Sequence, residues 1–345
     1  MITAEMRYGA LAAKVRAMYG KRLRFSDFET MAGFHAEGEV LEYLRAQPGW
    51  SAAVADLGSG YVGRIELETA LKQALWNAYR SLSHFVPKED KALVASPVRL
   101  AELDQILLVL RRLKAGRAGG DLPPLHKLEG KLQNKALYAC TDYDGLLAAT
   151  KGSLYYPSLV HVKPEEPGAL PDYATTEALL HAAYYAQTYR LIHRQYAGQT
   201  KALLLRAFGE EIDLLNLIHI LRLKTYFPGD DRYYSAIFPF YYRLRPEEVK
   251  ALCNAPDLEA CFALLQDTPY AKALVGLSVR ELEAKYWQLF YRFNQRQLVA
   301  GAPGVYTALA YLNTKELELR VLVNIIESVK YGAAYNADLA RIVGA

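Results

Sequence analysis

The sequence has little of what catalytic, metal-binding and secreted proteins commonly require. Its three cysteines, Cys140, Cys253 and Cys261, form no CxxC pair, a sparse count that is typical of a reducing compartment and shows no zinc-ligand spacing. Its histidines form neither HxxxH nor HExxH, and no GxSxG or Walker loop is present. We therefore expect no catalytic residue, no cofactor and no metal.

An excess of charge of one sign and a long hydrophobic run are also missing. Lys and Arg number 41 against 37 Asp and Glu, too even a balance to indicate a nucleic-acid partner. The hydrophobic fraction of 52% excludes a disordered chain, and the length of 345 residues predicts two or three domains. The longest uncharged run, between Arg296 and Lys315, is interrupted by glycine and proline, and charges interrupt the first twenty residues. We expect neither a secretory signal nor a membrane-spanning helix.

The rest of the sequence has the composition and the hydrophobic periodicity of helices almost throughout. Good helix formers dominate, and apolar residues recur at helical spacing, as in residues 101–116. Three pairs have the spacing of a cap with an acid at the third helical position: Ser26 with Glu29, Ser278 with Glu281, and Asn313 with Glu316. Pro246 suits a first helical turn. The best strand candidates, Ser51–Leu57 and Leu159–Val162, are short, so the pattern predicts an all-α fold.

Three weakly similar units follow one another along the chain. Each has a short helix running into a proline, a long helix opened by a glutamate, and an apolar closing helix that ends in a lysine. These landmarks recur about every 110 residues, at Pro48, Pro157 and Pro269, at Glu66, Glu177 and Glu281 or Glu283, and at Lys114, Lys224 and Lys330. The sequence predicts three tandem helical repeats, over residues 1–124, 125–235 and 236–345.

The closing helices of the second and third repeats are apolar on nearly every side. Such a helix is buried inside its bundle. Asp213, Asn216 and Arg222 are exceptions in the second repeat. Because an unpaired buried polar group costs about 1–3 kcal/mol, these side chains are expected to form interhelical pairs that hold the packing.

The glycines Gly58, Gly60 and Gly63 form GxGxxG, the pattern of a dinucleotide fingerprint and of a methyltransferase glycine loop. The pattern supports nucleotide binding only inside a strand–helix–strand unit, and the residues after Glu66 indicate a helix without further strands. The sequence favours a linker here, with the enzyme as the alternative.

Tyrosine is abundant, and several rings cluster in the stretch from Thr225 to Leu244. Aromatic-rich loops are favoured at interfaces, because tyrosine covers apolar area while keeping a polar tip. The same pattern suits a long connector clamped onto its own bundle by its rings. Both interpretations stay open.

Taken together in this order, the motifs resemble the rotor-cap family of V-type and A-type rotary ATPases, which is designated C in bacterial and archaeal enzymes and d in eukaryotic ones. The resemblance covers essentially the whole chain. The matching residues are Tyr8, Lys14, Val15, Arg16, Ala17, Met18, Asp213, Asn216, Leu217, Arg222, Lys224, Thr268, Pro269, Tyr270, Glu316, Glu318, Asn324, Ile325 and Ile326. The sequence departs from the family pattern at Pro48–Trp50 and Tyr155–Pro157.

The resemblance implies three helical bundles around a pseudo-threefold axis in a funnel-shaped, non-catalytic protein that is monomeric in isolation. It implies a place on the cytoplasmic face of the membrane, between the proteolipid ring of the rotor and the central-stalk subunits, where torque couples ATP turnover to proton or sodium transport. Loop residues that follow the first two closing helices are expected at a partner interface: Lys114, Arg117, Asp230, Asp231 and Arg232. A helical scaffold unrelated to rotary ATPases remains the second alternative.

Overall fold

The computed structural model describes residues 3–58, 60–116, 132, 134–227, 237–274 and 277–345. Within these ranges every regular element is a helix and no strand occurs, which confirms the all-α prediction. Both strand candidates were wrong: Ser51–Val54 and Tyr156–His161 are single helical turns or little more. Short apolar runs do not distinguish strand from buried helix by periodicity alone.

Each of three parts of the chain contains short helices followed by two long ones, and the first part has in addition a 16-residue helix at its start and a four-residue helix between its long ones. The helices of the first part are α1 (Ala4–Tyr19), α2 (Phe25–Ala32), α3 (Glu37–Arg45), α4 (Ser51–Val54), α5 (Arg64–Ser83), α6 (Lys91–Val94), which a 3-10 turn at Lys88–Asp90 precedes, and α7 (Ser96–Lys114). The middle part contains α8 (Asn134–Ala139), α9 (Tyr143–Thr150), α10 (Tyr156–His161), α11 (Tyr173–Gln195) and α12 (Gly198–Tyr226). The last part contains α13 (Pro246–Asn254), α14 (Leu258–Leu265), α15 (Ala271–Leu274), α16 (Val279–Val299), α17 (Val305–Tyr331) and α18 (Ala337–Val343).

The predicted helix starts were confirmed in part. Ser278 and Glu281 exchange the cap hydrogen bonds ahead of α16, and Pro246 opens α13. The Ser26 prediction was wrong, because α2 begins two residues earlier than a cap at Ser26 requires, and Asp27 accepts from the backbone N–H of Arg24. The Asn313 prediction was also wrong, because this residue lies inside α17, where apolar neighbours on both sides continue the helix.

Two packing units divide the chain. The first combines Met1–Pro97 with Trp287–Ala345, and the second is Val98–Tyr286. In the first unit, α17 is the central element, and it packs against α1, α2, α3, α5, α6 and α18. In the second, a core of α7, α8, α9, α11 and α12 side chains surrounds the buried Tyr155. These units are packing divisions, and the three-repeat organisation stays a prediction.

Candidate functional site

The residues predicted at a partner interface fall mostly outside the described part of the chain. Arg117, Asp230, Asp231 and Arg232 lie there. Lys114 is described: it is the last residue of α7, and its side chain is exposed. An exposed ammonium at a helix end is accessible to a partner and interacts favourably with the helix dipole.

The polar residues of the apolar closing helices form better-defined sites. We call α7, α12 and α17 the closing helices. On α12, both carboxylate oxygens of the fully buried Asp213 are used. One accepts from the backbone N–H of Tyr242 at 3.0 Å. The other accepts from Arg243 N–H at 2.7 Å, Leu244 N–H at 3.1 Å and the Tyr270 hydroxyl at 2.8 Å. We call Asp213 with these four donors the α12 clasp.

Asn216, one helical turn further along α12, binds the same stretch of chain, residues 238–244, which we call the incoming segment. Its side-chain amide donates to the carbonyl of Phe238 at 3.0 Å, and its oxygen accepts from the N–H of Phe238 at 2.9 Å. This reciprocal pair satisfies a fully buried amide. Arg222 pairs with Glu283 on α16. The expectation of packing pairs is therefore confirmed for the buried Asp213 and Asn216, although their partners lie outside helices. It was wrong for Arg222 in one respect, because Arg222 is exposed and its interhelical ion pair lies at the surface.

The connector after α12 is clamped onto its own unit where it is described. The ring of Phe238 is buried and lies 5.6 Å from Tyr185, and Phe240 stacks on Tyr189 with ring centroids 5.6 Å apart. Tyr241 and Tyr242 keep part of their rings exposed. The burial of Phe238 and the stacking of Phe240 support the interpretation of residues 237–244 as a connector held onto its own unit by its rings.

A second clasp lies on α17, around Glu318. One oxygen of this buried carboxylate accepts from the backbone N–H of Leu23 at 2.8 Å and from the indole Nε1–H of Trp50 at 2.8 Å. The other lies 3.3 Å from the ammonium of Lys315, which also donates to the carbonyl of Gly49 at 3.2 Å. The same ammonium lies 3.3 Å from the centroid of the Trp50 ring. We call Lys315, Glu318 and these partners the α17 clasp.

The two clasps use equivalent positions in the sequence. Leu244 precedes Pro246, the first residue of α13, by two residues, and Leu23 precedes Phe25, the first residue of α2, by the same two. The aromatic donors correspond as well: Tyr270 stands five residues after α14 ends at Leu265, and Trp50 five after α3 ends at Arg45. On both helices, the carboxylate therefore accepts from a backbone N–H two residues before a short helix and from an aromatic side chain five residues after the next short helix.

The first closing helix holds its aromatic ring in a related way. Tyr155 stands five residues after α9 ends at Thr150, is fully buried, and donates to the carbonyl of Arg99 on α7 at 2.5 Å. Glu102, a buried acid one turn after Arg99, is near enough to raise the pKa of the Tyr155 phenol, to which burial contributes most. In each case, the ring that follows a second short helix reaches a closing helix.

Sequence reasoning missed this carboxylate position, although a signal existed. Glu102, Asp213 and Glu318 each stand eleven or twelve residues before the closing lysines Lys114, Lys224 and Lys330. All three acids are buried, and each has a buried polar residue three positions away on the same helix: Gln105, Asn216 and Lys315. A buried charge is costly unless it is paired, so the recurrence indicates that each acid needs partners from the chain packed on its helix.

Burial changes the pKa values of one phenol and one ammonium in the clasps and of two thiols. Burial raises the pKa of Tyr270 well above its ordinary value, and the adjacent Asp213 carboxylate raises it further, so this phenol stays a hydrogen-bond donor. Burial lowers the pKa of Lys315, against the opposing effect of Glu318. Burial also raises the pKa of the Cys253 and Cys261 thiols to about 11, which disfavours their thiolate forms.

The glycine pattern does not lie in a nucleotide-binding context. Gly58, Gly60 and Gly63 join the four-residue helix α4 to α5, and Gly63 is the cap of α5. Arg45 donates to the carbonyls of Leu57 at 2.6 Å and Gly58 at 3.0 Å. A dinucleotide or methyltransferase loop follows a strand, and the structure has a helical turn at that place.

Comparison with known protein families gives a match over most of the chain. The sequence model of the ATP synthase (C/AC39) subunit family matches residues 11–336, which include both clasps. The chain belongs to this family. No individual curated protein matches it. This member of the C/AC39 family has no helix, within its described residues, that is long and apolar enough to cross a membrane.

Proposed function

We propose that this C/AC39 family member is the non-catalytic component that links the central stalk of a V-type or A-type rotary ATPase to its membrane rotor ring. In this role it transmits torque between ATP turnover and proton or sodium transport, from the cytoplasmic face of the membrane. The observation that carries the proposal is the family match over residues 11–336, on a chain whose described residues form packed helices.

The internal packing supports a mechanical role. A protein that transmits torque must resist deformation between its partners, and buried, fully hydrogen-bonded polar groups make packing specific and rigid. Asp213 accepts four hydrogen bonds, and Asn216 satisfies both its oxygen and one donor. The clasps thus give the closing helices firm attachment to the segments packed on them.

The three-bundle, pseudo-threefold funnel is part of the same proposal. The recurring order of helix lengths and the equivalent positions of Trp50, Tyr155 and Tyr270 support it. Such a funnel has an end for the proteolipid ring and an inner wall for the central-stalk subunits. We place the partner contacts at Lys114, Arg117, Asp230, Asp231 and Arg232.

Affinity capture of the tagged chain from gently solubilised native membranes tests the role. The expected result is recovery of a ring proteolipid together with central-stalk and catalytic subunits, identified by mass spectrometry. Recovery of none of these from cells that express a rotary ATPase would overturn the proposal and favour an unrelated scaffold.

The interface residues require a separate test. Reversing the charge at Lys114 and Arg117, or at Asp230, Asp231 and Arg232, should weaken recovery of one partner while the chain stays folded. The matched control is Lys151→Glu, which changes an exposed lysine beyond the end of α9. Unchanged recovery with both sets of reversals would remove these residues from the interface without affecting the coupling role.

A further inference from the structure

One position distinguishes the closing helices from each other: the residue three before the clasp acid. It is Glu210 on α12, where the acid is Asp213, and Lys315 on α17, where the acid is Glu318. Residues three apart lie on the same face of a helix, so this side chain is next to the clasp. It is an acid in one clasp and a base in the other.

On α12, the acid at this position faces an arginine of the incoming segment. Glu210 lies 3.7 Å from Arg243, which immediately precedes the clasped Leu244. The same Glu210 oxygen also accepts from Arg206, one turn earlier on α12, at 3.1 Å. Arg243 is about half exposed, so Glu210 and solvent both interact with its guanidinium.

On α17, the equivalent arginine lies near a lysine instead of an acid. Arg22 immediately precedes the clasped Leu23, and it lines the same small cavity as Lys315 and Glu318. The Arg22 guanidinium is directed elsewhere: it stacks on Tyr19 at 4.4 Å and donates to the carbonyl of Ala345 at 3.4 Å. Its Nε–H is buried without a hydrogen-bond partner. Residues 22–50, which we call the first segment, therefore pack beside a cation on α17 with their own arginine directed away from it.

Lys315 also contacts features particular to the first segment. Its ammonium binds the carbonyl of Gly49 and the face of the Trp50 indole. Indole is the strongest of the aromatic faces in binding a cation. Added side-chain volume at Gly49 would overlap the backbone carbonyl of Lys21, so the close approach of these two stretches of chain requires glycine there.

We propose that Lys315, acting with Glu318 and Trp50, makes the α17 surface selective for residues 22–50 and excludes the segment that carries Arg243 and Tyr270. An Arg243-type segment on α17 would bring its guanidinium toward the Lys315 ammonium, and a tyrosine would replace the indole that Lys315 covers. Like-charge contact and loss of a cation–π pair are the repulsive elements by which similar surfaces reject wrong partners.

Selectivity at the α17 surface matters because the chain contains similar segments that could pack on the wrong helix during folding. Leu23 and Trp50 are separated from Glu318 by most of the chain, so they reach α17 without a short connection, whereas Leu244 follows soon after Asp213. Tandem units of similar sequence misassemble and exchange segments between copies during folding. The partner that fits the α17 surface is thus the first segment, from the same chain or from a second copy.

An exchange of the clasp residues tests this assignment in the full chain. The triple variant Lys315→Glu, Glu318→Asp and Trp50→Tyr gives α17 the residues of the α12 clasp. We expect each single substitution to lower the unfolding midpoint and the triple variant to recover most of that loss, because Glu at 315 would pair with Arg22 as Glu210 pairs with Arg243. After dilution from denaturant, the triple variant should yield several-fold more dimers and larger species than the wild type, measured by light scattering.

Two outcomes would overturn the proposal. A triple variant no more stable than the sum of its singles would show that the positions are not equivalent. A triple variant that refolds to monomer as efficiently as the wild type would show that these residues do not select the partner.

A second pair of variants keeps the test valid if the triple variant does not fold. Lys315→Met removes the charge at similar length and should increase misassembly on refolding, whereas Lys315→Arg, which keeps the charge, should retain the monomer yield. Equal monomer yields for the two would contradict the selectivity. This inference concerns self-recognition and does not depend on the rotor role.

Discussion

The α12 and α17 clasps place a buried carboxylate at equivalent positions, but they satisfy it differently. Asp213 receives four neutral donors, three from backbone and one from Tyr270. Glu318 receives two neutral donors and the Lys315 ammonium. A shorter acid close to the incoming backbone can be solvated by N–H groups alone, whereas the longer one at α17 reaches an indole and retains a counter-charge.

The difference has an energetic consequence. Breaking a buried charged network by removing one partner is more costly than its net contribution suggests, because the remaining groups stay desolvated. All of the donors at Asp213 depend on a single side chain. At Glu318 the cation has its own acceptor in Gly49, so the two halves of that clasp are partly independent.

The largest effect is expected for Asp213→Asn. This change keeps the shape but places an amide N–H group against donors that previously met an oxygen, and it should lower the free energy of unfolding by about 4 kcal/mol. Urea unfolding of the full chain followed by circular dichroism measures the loss. Asp144→Asn, at an exposed ion pair with Lys163, is the control and should stay within about 1 kcal/mol of wild type. A loss as small as that of the control would contradict the importance of the α12 clasp.

Gly49→Ala should destabilise the α17 clasp by about 2–3 kcal/mol, because the added methyl group meets the Lys21 carbonyl, which belongs to the backbone and cannot rotate away. The control is Gly9→Ala in the middle of α1, where nothing lies near the new atom. There the better helix propensity of alanine should add about 0.5–1 kcal/mol. Thermal unfolding of both variants distinguishes them by the sign of the shift. A Gly49→Ala variant as stable as the wild type would show that the backbone near Lys21 and Gly49 can move apart without loss of stability.

The closing lysines extend the comparison to the helix ends. The buried Lys224 donates to the carbonyls of Cys253 at 2.9 Å and Ala255 at 2.5 Å, just where α13 ends. Lys224→Met leaves these acceptors unpaired and should cost about 2 kcal/mol. The exposed Lys330 pairs with Glu37 at 3.0 Å, and Lys330→Met should cost less. Chemical denaturation of both variants measures the two losses of unfolding free energy. A larger loss for Lys330→Met than for Lys224→Met would mean that burial of the lysine does not decide the size of the loss.

The smallest effect is a difference in pH dependence. Burial lowers the pKa of Lys315 in the folded protein below its ordinary value of 10.5. At pH values between the lowered pKa and 10.5, the unfolded chain holds a proton that the folded chain has released. The contribution of Lys315 to stability therefore rises with pH over this window. Relative to Lys315→Met, the wild type should gain stability as pH approaches 10.5. Unfolding midpoints of both proteins over this range give the slope. A difference that falls with rising pH would contradict the lowered pKa.

Much of the fold could be predicted from the sequence because helical periodicity is local. The pairing of Ser278 with Glu281 and the place of Pro246 were correct for that reason. Asn313 and Ser26 failed because a cap pattern also occurs where tertiary packing continues or shifts a helix. The need of Asp213 for partners could be predicted, but Tyr270 as one of them could not, since the two are far apart in sequence.

The sequence alone determined that this chain is helical, that its apolar closing helices are buried, and that it resembles the family to which it belongs. The first two properties depend on residue type and spacing within a few turns, and the resemblance depends on the order of short motifs along the chain. Only the tertiary structure decided which donors meet each buried acid, that Lys315 lies on Trp50, and that the first segment packs on α17. The reason is physical: hydrogen bonds and ion pairs between distant segments depend on how whole helices pack, and no local pattern encodes their distances.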